Sequence, residues 1–173
     1  MLTLSAPDAF GNTTFCDDIR MEVNGKLTLV GCYSTELYAT SNFPIIIPKL
    51  CLAINYWQRK GLLILPVVFW VFLPGDSEEK ASIEFGTTEQ LTPEMLEQRL
   101  DRPIEPGIEP PEYSVFSAQV ALANLAVAQP GSIKVRDRRG EQLVRLGSLR
   151  IRSVPALSPS QEPQALALSL PAP

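Results

Sequence analysis

The chain reads as an all-β protein: an antiparallel β-sandwich of Ig-like architecture, with one short helix and an extended C-terminal tail. Three observations predict this class. Apolar and polar residues alternate with a period of two along most apolar segments, as in strands with one face in a core and one in water. Turn signals separate those segments, at Asn24-Gly25, Arg59-Lys60-Gly61, Pro74-Gly75-Asp76 and Pro130-Gly131. A helix start is written once, at Thr92-Pro93-Glu94. Seven or eight short strands of this kind make two packed sheets. The Cys-Trp-Cys signature of immunoglobulin domains is absent, so Ig-like is an architectural label here.

Residues 1–14 read as an N-terminal extension. Phe15, Ile19, Met21 and Val23 then alternate with Cys16, Asp18, Arg20 and Glu22, a half-buried strand that only Asp17 interrupts. Asn24-Gly25 suits a two-residue type I′ turn, because both residues tolerate positive φ. Lys26 to Tyr33 returns as the second strand of this hairpin. Residues 34–49 read as a loop or short edge segment. Leu50 to Trp57 is a strand with Leu50, Leu52, Ile54 and Tyr56 on one face. Leu62 to Phe72 is almost wholly apolar, as in a strand covered on both faces, although Pro66 demands an edge, a bulge or a break. Ala81 to Gly86 is a short strand. Thr92 caps a short helix that ends near Leu100, and the four prolines of Arg102 to Pro111 make a loop. Val115 to Leu122 alternates with Phe116, Ala118, Val120 and Leu122 inward, while Ser117 to Ala128 taken alone allows a helix. The final hairpin spans Pro130 to Arg152. Ile133 and Val135 alternate with Lys134 and Arg136, Asp137-Arg138-Arg139-Gly140 reverses the chain, and Leu149-Arg150-Ile151-Arg152 closes it. The organisation is one sandwich domain over 15–152 and a Pro/Ala-rich tail over 153–173.

Composition excludes much chemistry. The 173 residues contain no histidine. That removes the usual Ser-His-Asp and Cys-His nucleophiles and His-ligated metal sites. Cys16, Cys32 and Cys51 form no CxxC and cannot complete a four-thiolate zinc site. They read as reduced, buried thiols, which points to the cytoplasm. Neither a GxGxxG loop nor a P-loop occurs. No catalytic residue, metal site or cofactor is therefore assigned. The opening MLTLSAPDAF lacks the basic and apolar regions of a signal peptide. The uncharged run from Leu62 to Leu73 is shorter than the roughly twenty residues of a membrane-spanning helix.

The segment FCDDIRMEVNGKLTLVGCYSTELY, Phe15 to Tyr38, followed by FPIIIPKLCLAINYW, resembles the opening of a bacterial family of unknown function that is also met in mobile elements. The resemblance covers the first third of the chain well and the final hairpin loosely. It implies a small all-β protein and carries no activity to transfer.

Three groups are candidate sites. Asp17, Asp18 and Arg20 form a possible buried polar site. Adjacent carboxylates on a strand point to opposite faces, so they cannot chelate one ion alone. Asp17, on the core parity, must then be hydrogen-bonded or paired: it accepts backbone N–H groups at a sheet end or pairs with Arg20 or another Arg, with a catalytic or metal role as the alternative. The run Asp76-Ser77-Glu78-Glu79 lacks the ligand spacing of a calcium loop and reads as a solvated turn. The third group is the basic hairpin. Lys134 to Arg152 holds seven basic and two acidic residues, against eight basic and seventeen acidic elsewhere. Lys134, Arg136, Arg150 and Arg152 share the outward face, with Arg138 and Arg139 at the reversal. Such arginines suit an acidic partner surface. The bland alternatives are a solvated, edge-protecting face or pairing with the chain's own acids. A net charge of −4 and the lack of a stacking platform argue against nucleic acid.

The reading that follows is a non-enzymatic binding or structural module, compatible with a homo-oligomer, that meets an acidic protein through this hairpin. Its rivals are a calcium- or carbohydrate-type ligand-binding domain, a carboxylate-based hydrolase and a phage structural protein. Clustered exposed aromatics or converging carboxylates favour the first rival. Two acids facing across a cleft favour the second, and a large self-interface the third.

Overall fold

The computed structural model describes residues 7–59, 67–86, 112–139 and 142–154. Ten strands follow in chain order: β1 (Ala9–Cys16), β2 (Asp18–Met21), β3 (Leu27–Val30), β4 (Glu36–Ala39), β5 (Ile45–Arg59), β6 (Val68–Phe72), β7 (Ile83–Gly86), β8 (Tyr113–Val127), β9 (Gly131–Arg139) and β10 (Gln142–Ser153). The protein is all-β, and no α-helix occurs among the described residues. The helix expected over Thr92–Leu100, the proline loop after it and the tail beyond Val154 lie outside them.

Three strands form one sheet in the order β1-β5-β8, and five form a second in the order β4-β10-β9-β6-β7. β4 runs parallel to β10, so the second sheet is mixed rather than antiparallel throughout. The two sheets share one core. Leu50, Leu52, Ile54 and Tyr56 of β5 pack with Phe69 and Val71 of β6, Ile133 and Val135 of β9, and Leu149 and Ile151 of β10. Tyr56 and Phe69 meet nearly edge to face, ring centroids 6.3 Å apart. β1 lies close against β10 at Gly11, where a Cβ would stand 2.6 Å from both the Asn55 carbonyl oxygen and Leu146 Cδ2.

The first hairpin forms, with differences. β2 and β3 pair antiparallel from Asp18–Val30 to Met21–Leu27. The turn between them has three residues, not two. The Gly25 N–H donates to the Glu22 carbonyl, and Asn24 sits at φ 75°, ψ 20°, the values a type II turn asks of its third residue. Phe15 does bridge antiparallel to Tyr33, its carbonyl accepting the Tyr33 N–H at 2.9 Å, but Phe15 and Cys16 belong to a different sheet. They end β1, which pairs with β5 from Ala9–Gln58 to Cys16–Cys51, so residues 9–14 of the expected extension are strand. The chain changes sheets at Asp17. Within 34–49 the structure places β4 and the first residues of β5. Ser117 to Ala128 lies in or beside β8 and is not helical; Phe116, Ala118, Val120 and Leu122 pack on the core as the alternation requires.

The final hairpin corrects two further readings. Asp137, Arg138 and Arg139 are strand residues, paired with Val144, Leu143 and Gln142, so the reversal lies beyond them. The pairing also slips once, between Arg145 and Gly147, where Leu146 is an extra residue in β10. This bulge switches the inward parity from even to odd. Val144 and Leu146 face the core before it, and Leu149 and Ile151 after it.

Candidate anion-binding face

The outward face of β9 and β10 is a ladder of basic and hydroxyl side chains. Its rungs are Ser132 with Arg150, Lys134 with Ser148, and Arg136 with Arg145. Inward alternation of Ile133, Val135 and Asp137 on β9 aims Lys134 and Arg136 outward. The bulge does the same for Arg145, which a strict alternation back from Arg150 would have turned inward. On the far side of β9, Phe72 and Trp70 of β6 stand opposite Lys134 and Arg136.

The expected partner-binding residues do not behave alike. Lys134 is held by Glu78 of the β6–β7 connection, Nζ to Oε1 2.6 Å. Arg150 and Arg152 both reach Glu36 on β4, at 3.7 and 3.0 Å. The Arg138 guanidinium lies 4.6 Å from the centroid of Trp70. The backbone of Arg139 ends β9, and its side chain lies outside the described residues. Sequence reasoning missed Arg145 because it read β10 only from Leu149 onward. A shallow open groove of about 260 Å³ runs between the two strands, lined by Ser132, Lys134, Arg136, Arg145, Gly147 and Ser148.

Electrostatics tie the groove to Glu78. The hydrogen bond from Lys134 holds the Glu78 carboxyl below the ordinary carboxylate range, helped by the charges of Lys134, Arg136 and Arg145. Partial burial draws the Arg136 guanidinium below its ordinary value; Glu78 opposes this and Arg145 adds to it. The acid that sequence placed at the turn, Asp137, is fully buried at 0% exposure on the inward face, so its side chain is turned away from the ladder.

Asp17, Asp18 and Arg20 are not a buried site. Asp17 is exposed at the bend between sheets and accepts a hydrogen bond from the Tyr33 hydroxyl. Asp18 is half-buried and pairs with Lys49 and with exposed Arg20, the latter at 3.0 Å. These two hydrogen bonds, Lys49 first, hold its carboxyl low. The parity argument failed at Asp17 because the strand ends there. Cys16 and Cys51 are buried cross-strand neighbours, whereas Cys32, expected to be buried, is exposed; all three are free thiols. Burial first, then the neighbouring Cys51, Cys32 and Asp17, push the Cys16 thiol up to about 11.

Two acids of the 76–79 run, Asp76 and Glu78, are engaged. Asp76 accepts the N–H groups of Leu73 and Ser82 and the Ser82 hydroxyl, each at 2.8 Å, and so clamps the loop that carries Glu78. Among the described residues no three Cys, Asp or Glu side chains gather where they could hold a metal ion. An aromatic group does stand on the outer face of the three-stranded sheet. Phe10 and Trp57 stack within 5° of parallel at 5.3 Å, Tyr113 meets Phe10 edge-on at 5.2 Å, and Arg59 lies 6.0 Å from the Tyr113 centroid. Of these three rings Phe10 is exposed, and Trp57 and Tyr113 are half-buried. No helix among the described residues is long and apolar enough to cross a membrane. Compared with known families, curated proteins and solved structures, the chain matches none.

Proposed function

We propose that this chain is a non-enzymatic β-sandwich binding module of Ig-like architecture that meets an acidic protein surface through the outward face of β9 and β10. One observation carries the reading: Lys134, Arg136, Arg145, Arg150 and Arg152 all line one face of two adjacent strands, while Asp137 is turned into the core. Five cations against the carboxylates of Glu36 and Glu78 leave this surface net positive, and such a field acts on encounter rate and specificity with an acidic partner. The ion pairs that Glu36 and Glu78 make with this face support the reading, since each is a carboxylate already seated on it. The free thiols of Cys16, Cys32 and Cys51 fit a reducing, cytoplasmic setting.

The test uses a hexaglutamate peptide as probe. The wild-type chain is expected to bind it with an affinity that falls as salt rises, because exposed charges screen within about 8 Å at physiological ionic strength. The double variant Arg136→Glu/Arg150→Glu should bind it at least tenfold more weakly and lose most of the salt dependence, with an unchanged circular dichroism spectrum. Equal binding by the two proteins would reduce the ladder to a solvated, edge-protecting face.

A further inference from the structure

Arg136 and Arg145 stand directly opposite each other on β9 and β10. Like charges so placed on a sheet face repel, and an anion between them removes the repulsion. No ion pair joins either guanidinium to a carboxylate of the described residues. The third cation of the groove, Lys134, is taken by Glu78. Among the described residues, three positive charges of the groove thus face one negative charge, an excess of two. A second carboxylate would balance one of them. A phosphoryl group carries about −1.5 to −2 at neutral pH and three acceptor oxygens, and would balance both. The two Arg forks suit that group in particular, since guanidinium binds phosphate oxygens bidentately. Ser132 and Ser148 line the same groove and add hydroxyl donors. Gly147 pairs with inward-facing Val135, so at the bulge the chain brings backbone, not a side chain, to the lining.

We infer that the groove between β9 and β10 seats one phosphoryl group of a phosphorylated partner, gripped by Arg136 and Arg145, with Glu78 as the chain's own competing carboxylate. The inference rests on the reading that this face receives an acidic protein, and it specifies which acidic group the face prefers. Glu78 shares Lys134 with the incoming group, and its charge acts on Arg136. Its removal should therefore tighten binding rather than loosen it.

Titration calorimetry on the full chain with four probes tests this: inorganic phosphate, a phosphoserine peptide, and the same peptide carrying Glu or Ser instead. The phosphoserine peptide should bind at least tenfold more tightly than the Glu peptide, and the Ser peptide weakest. Phosphate alone should compete with it, and binding should strengthen from pH 5.5 to 7 as the second phosphate proton leaves near pH 6. Arg145→Gln and Arg136→Lys should each weaken phosphopeptide binding about tenfold, the latter although it keeps the charge. Glu78→Gln should strengthen it several-fold. Equal affinity for the phosphoserine and Glu peptides, both lost in Arg136→Glu/Arg150→Glu, would refute the phosphoryl seat and leave the acidic-partner reading standing. Absence of binding to every probe would refute both. Binding of phosphate but not of the phosphopeptide would refute a macromolecular partner at this groove. Weaker binding in Glu78→Gln would show Glu78 to be a support of the site and overturn its role as competitor.

Discussion

Whether Arg145 faces Arg136 depends on one residue, Leu146, and truncating it tests the arrangement. Read back from Leu149 and Ile151, a strand without a bulge puts Leu143, Arg145 and Gly147 inward and Val144 and Leu146 in water. The structure does the reverse: Leu146 is 3% exposed and in the core, whereas Leu143 is 37% exposed. Leu146→Ala removes three buried carbons, about 2.4 kcal/mol at roughly 0.8 kcal/mol each. The cavity left behind adds to that, so a loss of about 3 kcal/mol is expected, inside the range of roughly 2–5 kcal/mol for buried leucines. At about 2–4 °C per kcal/mol for a chain of this size, the melting temperature should fall by roughly 6–12 °C. Leu143→Ala, on the outer face, should cost under about 1 kcal/mol. Urea denaturation of both variants, with slopes compared to confirm the same unfolding transition, measures the contrast. Equal losses at the two positions, or a larger one at Leu143, would refute the bulge and with it the facing pair of arginines.

Two further outcomes follow from the titratable groups. Partial burial raises the Asp76 carboxyl, but the N–H of Leu73 and the hydroxyl and N–H of Ser82 outweigh it and hold it below its ordinary value. A lowered carboxylate stabilises the fold above its unfolded pKa near 3.9 and loses that contribution as pH falls toward the folded value. Asp76→Asn should therefore cost about 1 kcal/mol at pH 7 and progressively less below about pH 4, as read by urea midpoints across that range; a gap constant with pH would contradict the clamp. For the thiols, Cys16 is pushed up to about 11, which leaves on the order of one part in a thousand as thiolate at pH 8. Iodoacetamide at that pH should label exposed Cys32 first and leave Cys16 unmodified until the chain is unfolded. Early labelling of Cys16 by peptide mass mapping would contradict its burial.

The parts of this fold that were legible in the sequence are those where a period of two runs unbroken. Leu50, Leu52, Ile54 and Tyr56 lie on the core face of β5, and Ile133 and Val135 on that of β9, because a strand cannot place neighbouring side chains on the same side. The same rule misled wherever the backbone broke it. At Asp17 the chain passes from one sheet to another, so the residue falls on a core parity that no longer exists and stands exposed. At Leu146 a bulge inserts one residue, and Arg145, to which the sequence reading gave no face, joins the groove. Asp137 shows the converse error. A charged residue beside Arg138, Arg139 and Gly140 has the composition of a turn, yet it continues the inward row of Ile133 and Val135 at 0% exposure. One signal could have exposed the bulge. Val144 and Leu146 are apolar at even positions, while Leu149 and Ile151 are apolar at odd ones, and a single strand between them can satisfy both only by gaining a residue. With Asp137 turned inward and Arg145 turned outward, the ladder carries five cations and not the one described acid of its own strands. Glu78, from a loop that composition marks as merely solvated, answers it together with Glu36 on β4.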